Sequence, residues 1–372
     1  ADAVYHGDKQ ILFGDTHVHT TWSFDAFMFS IPVLNASRGA LPPAAACDYA
    51  RFVSQLDFFF LTDHAESYTA QRWRDAQAAV RHCNAVAGDP ENPDLVAFIG
   101  FEWSQFGRTP EHHYGHHNVL FRDVESSQLP ARPIGAAGPA SDALRGNDPG
   151  GGLGLLRWLD VGNRSYYKAL ATFMQELQGE PVCPEGVKSP QLPADCYESA
   201  ATPGELYDKL DEWAVDTLVV PHGSSWGIYT PPGSSWDHQL NAANHDPDKG
   251  RLIEVYSGHG NSENFRDFTA RTIDEQGRAA CPEPQANYLP SCWQAGNIIR
   301  DRCLRAGESS AECEARAVTA RKHYVDAAGV DGWKSIAGGT PQEWLDAGQA
   351  RDIFLPAFNY RPGKSVQYGL AK

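Results

Sequence analysis

Short apolar runs that end in polar or turn-forming residues recur along the chain. Such runs are typical of buried strands. The predicted strands cover residues 11–13, 58–61, 95–101, 118–121, 217–220 and 252–256. Stretches with few helix breakers predict helices at 68–87, 205–215, 312–328 and 341–350. Strands that alternate with helices predict an α/β fold with parallel strands and crossover connections.

Two segments are interpreted as insertions into this predicted α/β fold. Residues 126–201 are rich in Gly and Pro, and residues 279–339 hold four cysteines and a basic helix. Neither segment carries an obvious catalytic motif. We therefore expect a single domain over residues 1–372, with the two insertions shaping the choice of substrate.

The charge balance limits the partners. The formal net charge of −16 disfavours non-specific binding to nucleic acid, which needs Lys and Arg to replace counterions. An anionic small-molecule substrate remains compatible, since a bound metal can reverse the local field. The sequence has no apolar run of about 18 residues and so predicts no membrane span. The oligomeric state is left open.

The eight cysteines include no C-x-x-C pair, which argues against a cysteine-bound zinc site. Their even number predicts disulfides, and pairs close in sequence such as Cys183 with Cys196 or Cys303 with Cys313 are candidates. Together with a first residue that is not Met, this pattern favours a periplasmic or secreted protein. Buried free thiols in a cytoplasmic protein are the alternative.

The first candidate chemistry follows the first apolar run, in the segment Asp15-Thr16-His17-Val18-His19. Alternate side chains of an extended segment share a face, so His17 and His19 would bind one metal together. Asp15 would orient a histidine ring from behind. Asp25 follows six residues after His19, in a loop that could fold back.

A histidine or carboxylate also lies at almost every later strand end. Any one of them alone would more simply be a structural side chain. Together they predict a metal site, because working residues of α/β barrels collect at the carboxyl ends of the strands. Imidazoles with carboxylates suit zinc, manganese or iron. These later positions are His64, Glu102, His116, His222 and His259.

The order of these motifs resembles the PHP superfamily, named for its polymerase and histidinol-phosphatase members. The resemblance covers roughly residues 11–260, and its details are similar to a branch known only as a domain of unknown function. It implies a distorted (β/α)7, TIM-like barrel and two or three divalent metal ions. The implied metal ligands are His17, His19, Asp25, His64, Glu102, His116 and His222.

One element of the family pattern is missing. The family closes its site with a D-x-H motif, and none follows residue 260. We therefore expect either a truncated form of a longer protein, with one or more C-terminal strands absent, or a reduced site.

The resulting hypothesis is a metal-dependent hydrolase of small, anionic esters, with phosphoesters favoured by the resemblance. Glu102 would bridge two metals that activate a shared water as the hydroxide nucleophile. His259 would protonate the leaving group or contact the substrate, and Arg108 would clamp a phosphate. The same metals could cleave a carboxylic ester, carbamate or amide, and a non-catalytic metal-binding domain is a further alternative.

Overall fold

The chain has a mixed α/β fold. The computed structural model describes residues 11–29, 41–107, 109–146, 158–223, 230–231, 233–257, 260–261, 272–273, 275–276, 278–286, 288–326, 335–338, 340–344, 347 and 362–372.

The strands are numbered here in chain order. They are β1 Gly14–Val18, β2 Phe58–Leu61, β3 Gly88–Asp89, β4 Asn92–Pro93, β5 Val96–Gln105, β6 Gly115–Phe121, β7 Ile134–Ala136, β8 Glu198–Ala200, β9 Thr217–His222, β10 Tyr256–Ser257, β11 Gly260–Asn261, β12 Thr272–Ile273 and β13 Ala279–Ala280.

The main sheet has five strands in the order β1-β2-β5-β6-β9. Strands β1 and β2 pair in parallel, as do β2 and β5. This confirms the predicted parallel arrangement for the first half of the sheet. Among the described residues the sheet remains open, so they do not contain the expected closed barrel of seven strands.

Apolar runs located the central strands but misplaced two others. The predicted strand at 11–13 is wrong, because Ile11, Leu12 and Phe13 are more than half exposed and β1 begins at Gly14. The predicted strand at 252–256 is also wrong for residues 252–255, and only its last residue, Tyr256, lies in a strand. Leu252 is 55% exposed, and residues 251–255 have no regular structure.

The α-helices are α1 Phe24–Phe29, α2 Pro43–Asp48, α3 Ala70–Ala85, α4 Pro139–Arg145, α5 Arg164–Gly179, α6 Pro203–Trp213, α7 Ser291–Arg305, α8 Ser310–Asp326 and α9 Val366–Ala371. Short 3-10 helices cover Ala65–Ser67, Pro110–His112, Ser126–Gln128, Val161–Asn163, Ser189–Gln191, Trp236–His238, Pro341–Trp344 and Pro362–Lys364, and a π-helix covers Tyr49–Val53.

Helices α3, α6 and α8 confirm three of the four predicted helices. Thr202 caps α6 by accepting a hydrogen bond from the backbone N–H of Glu205, and Pro203 follows it at the first helical position. Of the predicted helix at 341–350, the described residues include the 3-10 helix Pro341–Trp344, and residues 345, 346 and 348–350 lie outside the described part of the chain. Helices α5 and α7 lie inside the two predicted insertions.

The chain divides into two compact units. The first holds residues 1–105, 116–221 and 242–252, and α3 packs on β5 there. Its core includes the edge-on ring of Trp73 against Phe101 and Phe121. The second unit holds residues 106–115, 222–241 and 253–372 and contains the packed helix pair α7 and α8.

All eight cysteines form disulfides, which fits an oxidising compartment. The candidate pairs Cys183–Cys196 and Cys303–Cys313 are confirmed. The other two pairs are Cys47–Cys83, which joins α2 to α3, and Cys281–Cys292. Free thiols are therefore excluded. Over the described part of the chain, no helix has the length and apolar character needed to span a bilayer.

Candidate metal centre

The carboxylate of Glu102 is the meeting point of the predicted histidines in the first unit. Glu102 lies on β5 and is fully buried. Its Oε2 lies 2.8 Å from Nε2 of His19 and 3.4 Å from Nε2 of His17. Nδ1 of His64 lies 3.5 Å from the same oxygen, and Nδ1 of His116 contacts Oε1. One carboxylate thus faces four imidazoles.

Asp25 adds a second carboxylate on the other side of His64. Its Oδ2 lies 3.2 Å from Nε2 of His64, and its Oδ1 lies 3.9 Å from Nδ1 of His19. Asp25 is in the first turn of α1, and 42% of its side chain is exposed. It therefore forms the open side of a cluster that Glu102 closes from within.

These residues form three overlapping groups, within each of which the ligand atoms lie within 4.8 Å of one another. The groups are His17–His19–Glu102, His19–Asp25–His64 and His64–Glu102–His116. Each combines two imidazole nitrogens with one carboxylate oxygen, a donor set that suits zinc, manganese or iron. Burial of a charged carboxylate among imidazoles is also costly unless a cation or protons compensate it. The residues therefore fit a divalent metal.

Local backbone geometry explains how neighbouring strands bring these side chains together. Glu102, within β5, pairs with His64, three residues after β2, through an isolated parallel bridge, and the backbone N–H of Glu102 donates to the carbonyl of Asp63 at 3.1 Å. A Cβ at Gly100 would lie 2.3 Å from the carbonyl oxygen of Val119, so only glycine allows this approach of β5 to β6.

Gly115 has a second such role at the start of β6. Its φ of +82° lies in the left-handed region that glycine adopts without a steric penalty. It immediately precedes His116, whose ring reaches Glu102. The next residue, His117, instead packs edge-on against Trp103 with ring centroids 5.4 Å apart. The structure thus separates a candidate ligand from a core histidine at adjacent positions.

Asp63, for which no role was predicted from the sequence, supports the centre from behind. It is fully buried. Its Oδ1 accepts hydrogen bonds from the backbone N–H of Thr20 at 2.6 Å and from Oγ of Ser23 at 2.8 Å. Its Oδ2 accepts from Oγ1 of Thr20 at 2.7 Å and from the hydroxyl of Tyr68 at 3.3 Å. The carboxylate thus fixes the segment that follows His19.

The electrostatics of the cluster favour charge on His64. Burial opposes the charged form, but the negative charges of Glu102 and Asp25 outweigh it and raise the pKa of His64 to about 10. Burial likewise acts to raise the pKa of Asp25, but His64 and His19 hold that pKa well below its usual range. His64 and Asp25 therefore form an ion pair at the open side of the cluster.

The remaining predicted site residues have different outcomes. His222 ends β9 and is buried, and its ligand atom lies within 4.8 Å of that of Glu254 inside the second unit. Glu254 was missed because it stood inside a predicted strand. Asp15 contacts the site differently from the prediction, since its Oδ1 accepts from the backbone N–H of His17 at 2.9 Å. Arg108 and His259 lie outside the described residues.

Comparison with known families gives one match. A family model described as a protein of unknown function (DUF3604) matches residues 6–89. That span includes His17, His19, Asp25 and His64, and it ends before Glu102. No curated protein and no solved structure matches the chain.

Proposed function

We propose that this protein is a metal-dependent hydrolase, and that its substrate is a small phosphoester. The observation that carries the proposal is the buried carboxylate of Glu102 between the rings of His17, His19, His64 and His116. The preference for phosphorus as the reacting centre comes from the resemblance to the PHP superfamily. From that resemblance we also propose a PHP-like barrel fold, and from the four disulfides a periplasmic or secreted location.

The chain's own residues have distinct tasks in this proposal. Glu102 joins two of the ligand groups, so it would hold two ions on one carboxylate. His17 and His19 would hold one ion, and His64 and His116 the other, with Asp25 at the open side. A bound divalent ion supplies a hydroxide near neutral pH and holds the negative charge that develops on the ester oxygens. Arg108 and His259 stay candidates for phosphate binding and proton transfer.

The open side of the cluster gives the substrate its approach. Asp25 is the most exposed of the six candidate ligands in the first unit, whereas Glu102 is closed off from solvent. A bound metal would therefore be shielded from water on the side of Glu102 and accessible on the side of Asp25, and exclusion of water strengthens electrostatic interactions at the reacting centre.

The test has two steps. Bound metal is first measured in the purified protein by mass spectrometry, and hydrolysis of p-nitrophenyl phosphate and p-nitrophenyl acetate is then assayed with added zinc or manganese. We expect bound metal and phosphate ester hydrolysis. His17→Ala and Glu102→Ala should each lose metal and activity, whereas His82→Ala and Glu91→Ala, at exposed positions, should retain both.

The outcomes separate the alternatives. Hydrolysis of the acetate alone would replace the phosphoester by a carboxylic ester as the substrate. Metal binding without turnover on either substrate and on a broader ester panel would make the chain a non-catalytic metal-binding domain. Activity that survives in both His17→Ala and Glu102→Ala would show that the cluster around Glu102 is not the active site.

A further inference from the structure

A cleft of about 450 Å³ lies in the first unit, next to the segment that carries two of the candidate ligands. Its volume falls in the range of small-molecule sites. Thr21, Trp22 and Phe27 form one wall, and residues of α5 form the other. The first two lie between His19 and Asp25 along the chain, and Phe27 is on α1 with Asp25. The cleft and the metal centre thus share one segment.

Three aromatic side chains, Trp22, Phe27 and Phe173, line this cleft. Phe27 stacks on Phe173 of α5 with ring centroids 5.2 Å apart and an interplanar angle of 13°. Trp22 is half-buried and meets Tyr68 edge-on at 6.4 Å. Aromatic side chains favour stacked or edge-on contacts with a further ring. The wall is therefore suited to a flat aromatic group.

The charged residues of the cleft leave an excess of positive charge. The guanidinium of Arg72 lies 4.0 Å over the ring of Phe173 and pairs with the carboxylate of Glu176. It also donates to the carbonyl of Ser67 at 3.0 Å. Lys168, one turn before Thr172 on α5, is exposed and adds a second cation. Two cations against one carboxylate favour an anionic group, although the chain as a whole has a net charge of −16.

Hydrogen bonds of Ser67 also connect the cleft to the segments that carry the candidate ligands. Ser67 lies three residues after His64, and its Oγ accepts a hydrogen bond from the backbone N–H of Phe24 at 3.0 Å. Ser67 thereby connects the position of Arg72 to the segment that carries Asp25. A group held in the cleft would therefore lie against the same segment that carries His19 and Asp25.

We propose that this cleft binds the aryl part of the substrate, with an anionic substituent of the ring near Lys168. The proposal rests on the proposed function in that the aryl group belongs to the ester hydrolysed at the metal centre. The metal centre determines which bond is cleaved, and the cleft determines which esters are preferred.

A cleft-filling substitution tests this specificity. Thr172→Trp would place a large ring in the cleft from the exposed surface of α5, and Gln175→Trp, three residues on and outside the cleft lining, is the matched control. The quantity measured is the ratio of kcat/KM for 4-carboxyphenyl phosphate to that for methyl phosphate. We expect the ratio to fall about tenfold in Thr172→Trp, the equivalent of losing one aromatic contact and part of its burial. An unchanged ratio would overturn the proposal.

Lys168→Gln tests the anionic substituent, with Lys188→Gln at another exposed position as control. We expect a several-fold loss of preference for 4-carboxyphenyl phosphate over phenyl phosphate, larger at low salt because the interaction is partly screened. If Lys168→Gln and the wild type prefer 4-carboxyphenyl phosphate equally, Lys168 does not bind an anionic substituent and that part of the proposal is wrong.

Binding of benzoate separates a failure of the cleft from a failure of the hydrolase. Saturation-transfer NMR measures this binding without any turnover. We expect the wild type and Gln175→Trp to bind benzoate and Thr172→Trp to lose binding. If the protein shows this binding pattern but hydrolyses no ester, the cleft is a binding site and the proposed function is wrong. If the wild type does not bind benzoate, the proposal that the cleft binds an aryl group is wrong.

Discussion

The hydroxyl oxygen of Ser23 lies 2.7 Å from Nδ1 of His19. The same oxygen donates its proton to Oδ1 of Asp63 at 2.8 Å, so it accepts the proton of Nδ1. These hydrogen bonds place the ring proton of His19 on Nδ1. The other nitrogen, Nε2, faces Glu102 and is left to bind a metal. Ser23 is a positioning residue for a ligand.

Ser23→Ala should weaken metal binding without abolishing it. Loss of the partner of a ligating histidine typically lowers metal affinity by about 10–100-fold. The affinity is measured by competition with a chromogenic chelator. Ser54→Ala, at an exposed position after the π-helix, is the control and should bind metal like the wild type. Equal affinity in Ser23→Ala would show that the ring of His19 is oriented by other contacts.

Asp63→Asn should destabilise the fold as well as the site. The buried carboxylate accepts four hydrogen bonds, and the amide that replaces it can accept at only one of its two ends. We expect the free energy of unfolding of the metal-free protein to fall by about 3 kcal/mol, the scale of a lost charge-assisted network.

Urea unfolding in a chelator measures this change. Asp75→Asn, on the exposed side of α3, is the control and should stay within about 0.5 kcal/mol of the wild type. A loss in Asp63→Asn no larger than in that control would mean that the network does not hold the segment after His19.

The sequence predicted the candidate metal ligands of the first unit better than it predicted Asp63, whose hydrogen bonds support them. His17, His19, His64 and Glu102 stand at ends of short apolar runs, and chemistry at strand ends converges because parallel strands end at one edge. Asp63 carries no comparable signal. Its neighbour His64 accounts for the strand-end pattern, and the role of Asp63 depends on hydrogen bonds from residues 40 to 43 positions away.

The strands showed the same limit. Phe58–Leu61 was predicted because its residues form a short apolar run, and the structure buries alternate residues of that run. Ile11–Phe13 is equally apolar and yet exposed, while the more polar Gly14–Val18 is the strand, since pairing with β2 decides it. Helix α5 was missed although Tyr167, Leu170, Phe173, Met174 and Leu177 recur at helical spacing, because its Gly- and Pro-rich surroundings dominated the interpretation of residues 126–201.

Removal of the disulfide Cys303–Cys313 should affect stability but not metal content. This bond closes the turn between α7 and α8, and a chain-entropy estimate for so short a loop gives about 3 kcal/mol. The helix pair holds none of the six ligands of the first unit. The double variant Cys303→Ala with Cys313→Ala should therefore unfold at lower urea concentration and still bind metal. A matching loss of metal would show that this hairpin supports the metal centre.

Metal should stabilise the folded protein through Glu102. A ligand that binds only the folded state adds about 2.7 kcal/mol when its free concentration is a hundred times its Kd. We therefore expect zinc or manganese to raise the Tm of chelator-treated wild type by several degrees, with the rise increasing with metal concentration. Glu102→Gln keeps the size of the side chain but removes the charge that faces four imidazoles, so its Tm should not respond. An equal rise in Glu102→Gln would place the stabilising metal at a different set of residues, and Glu91→Gln serves as the control that must respond like the wild type.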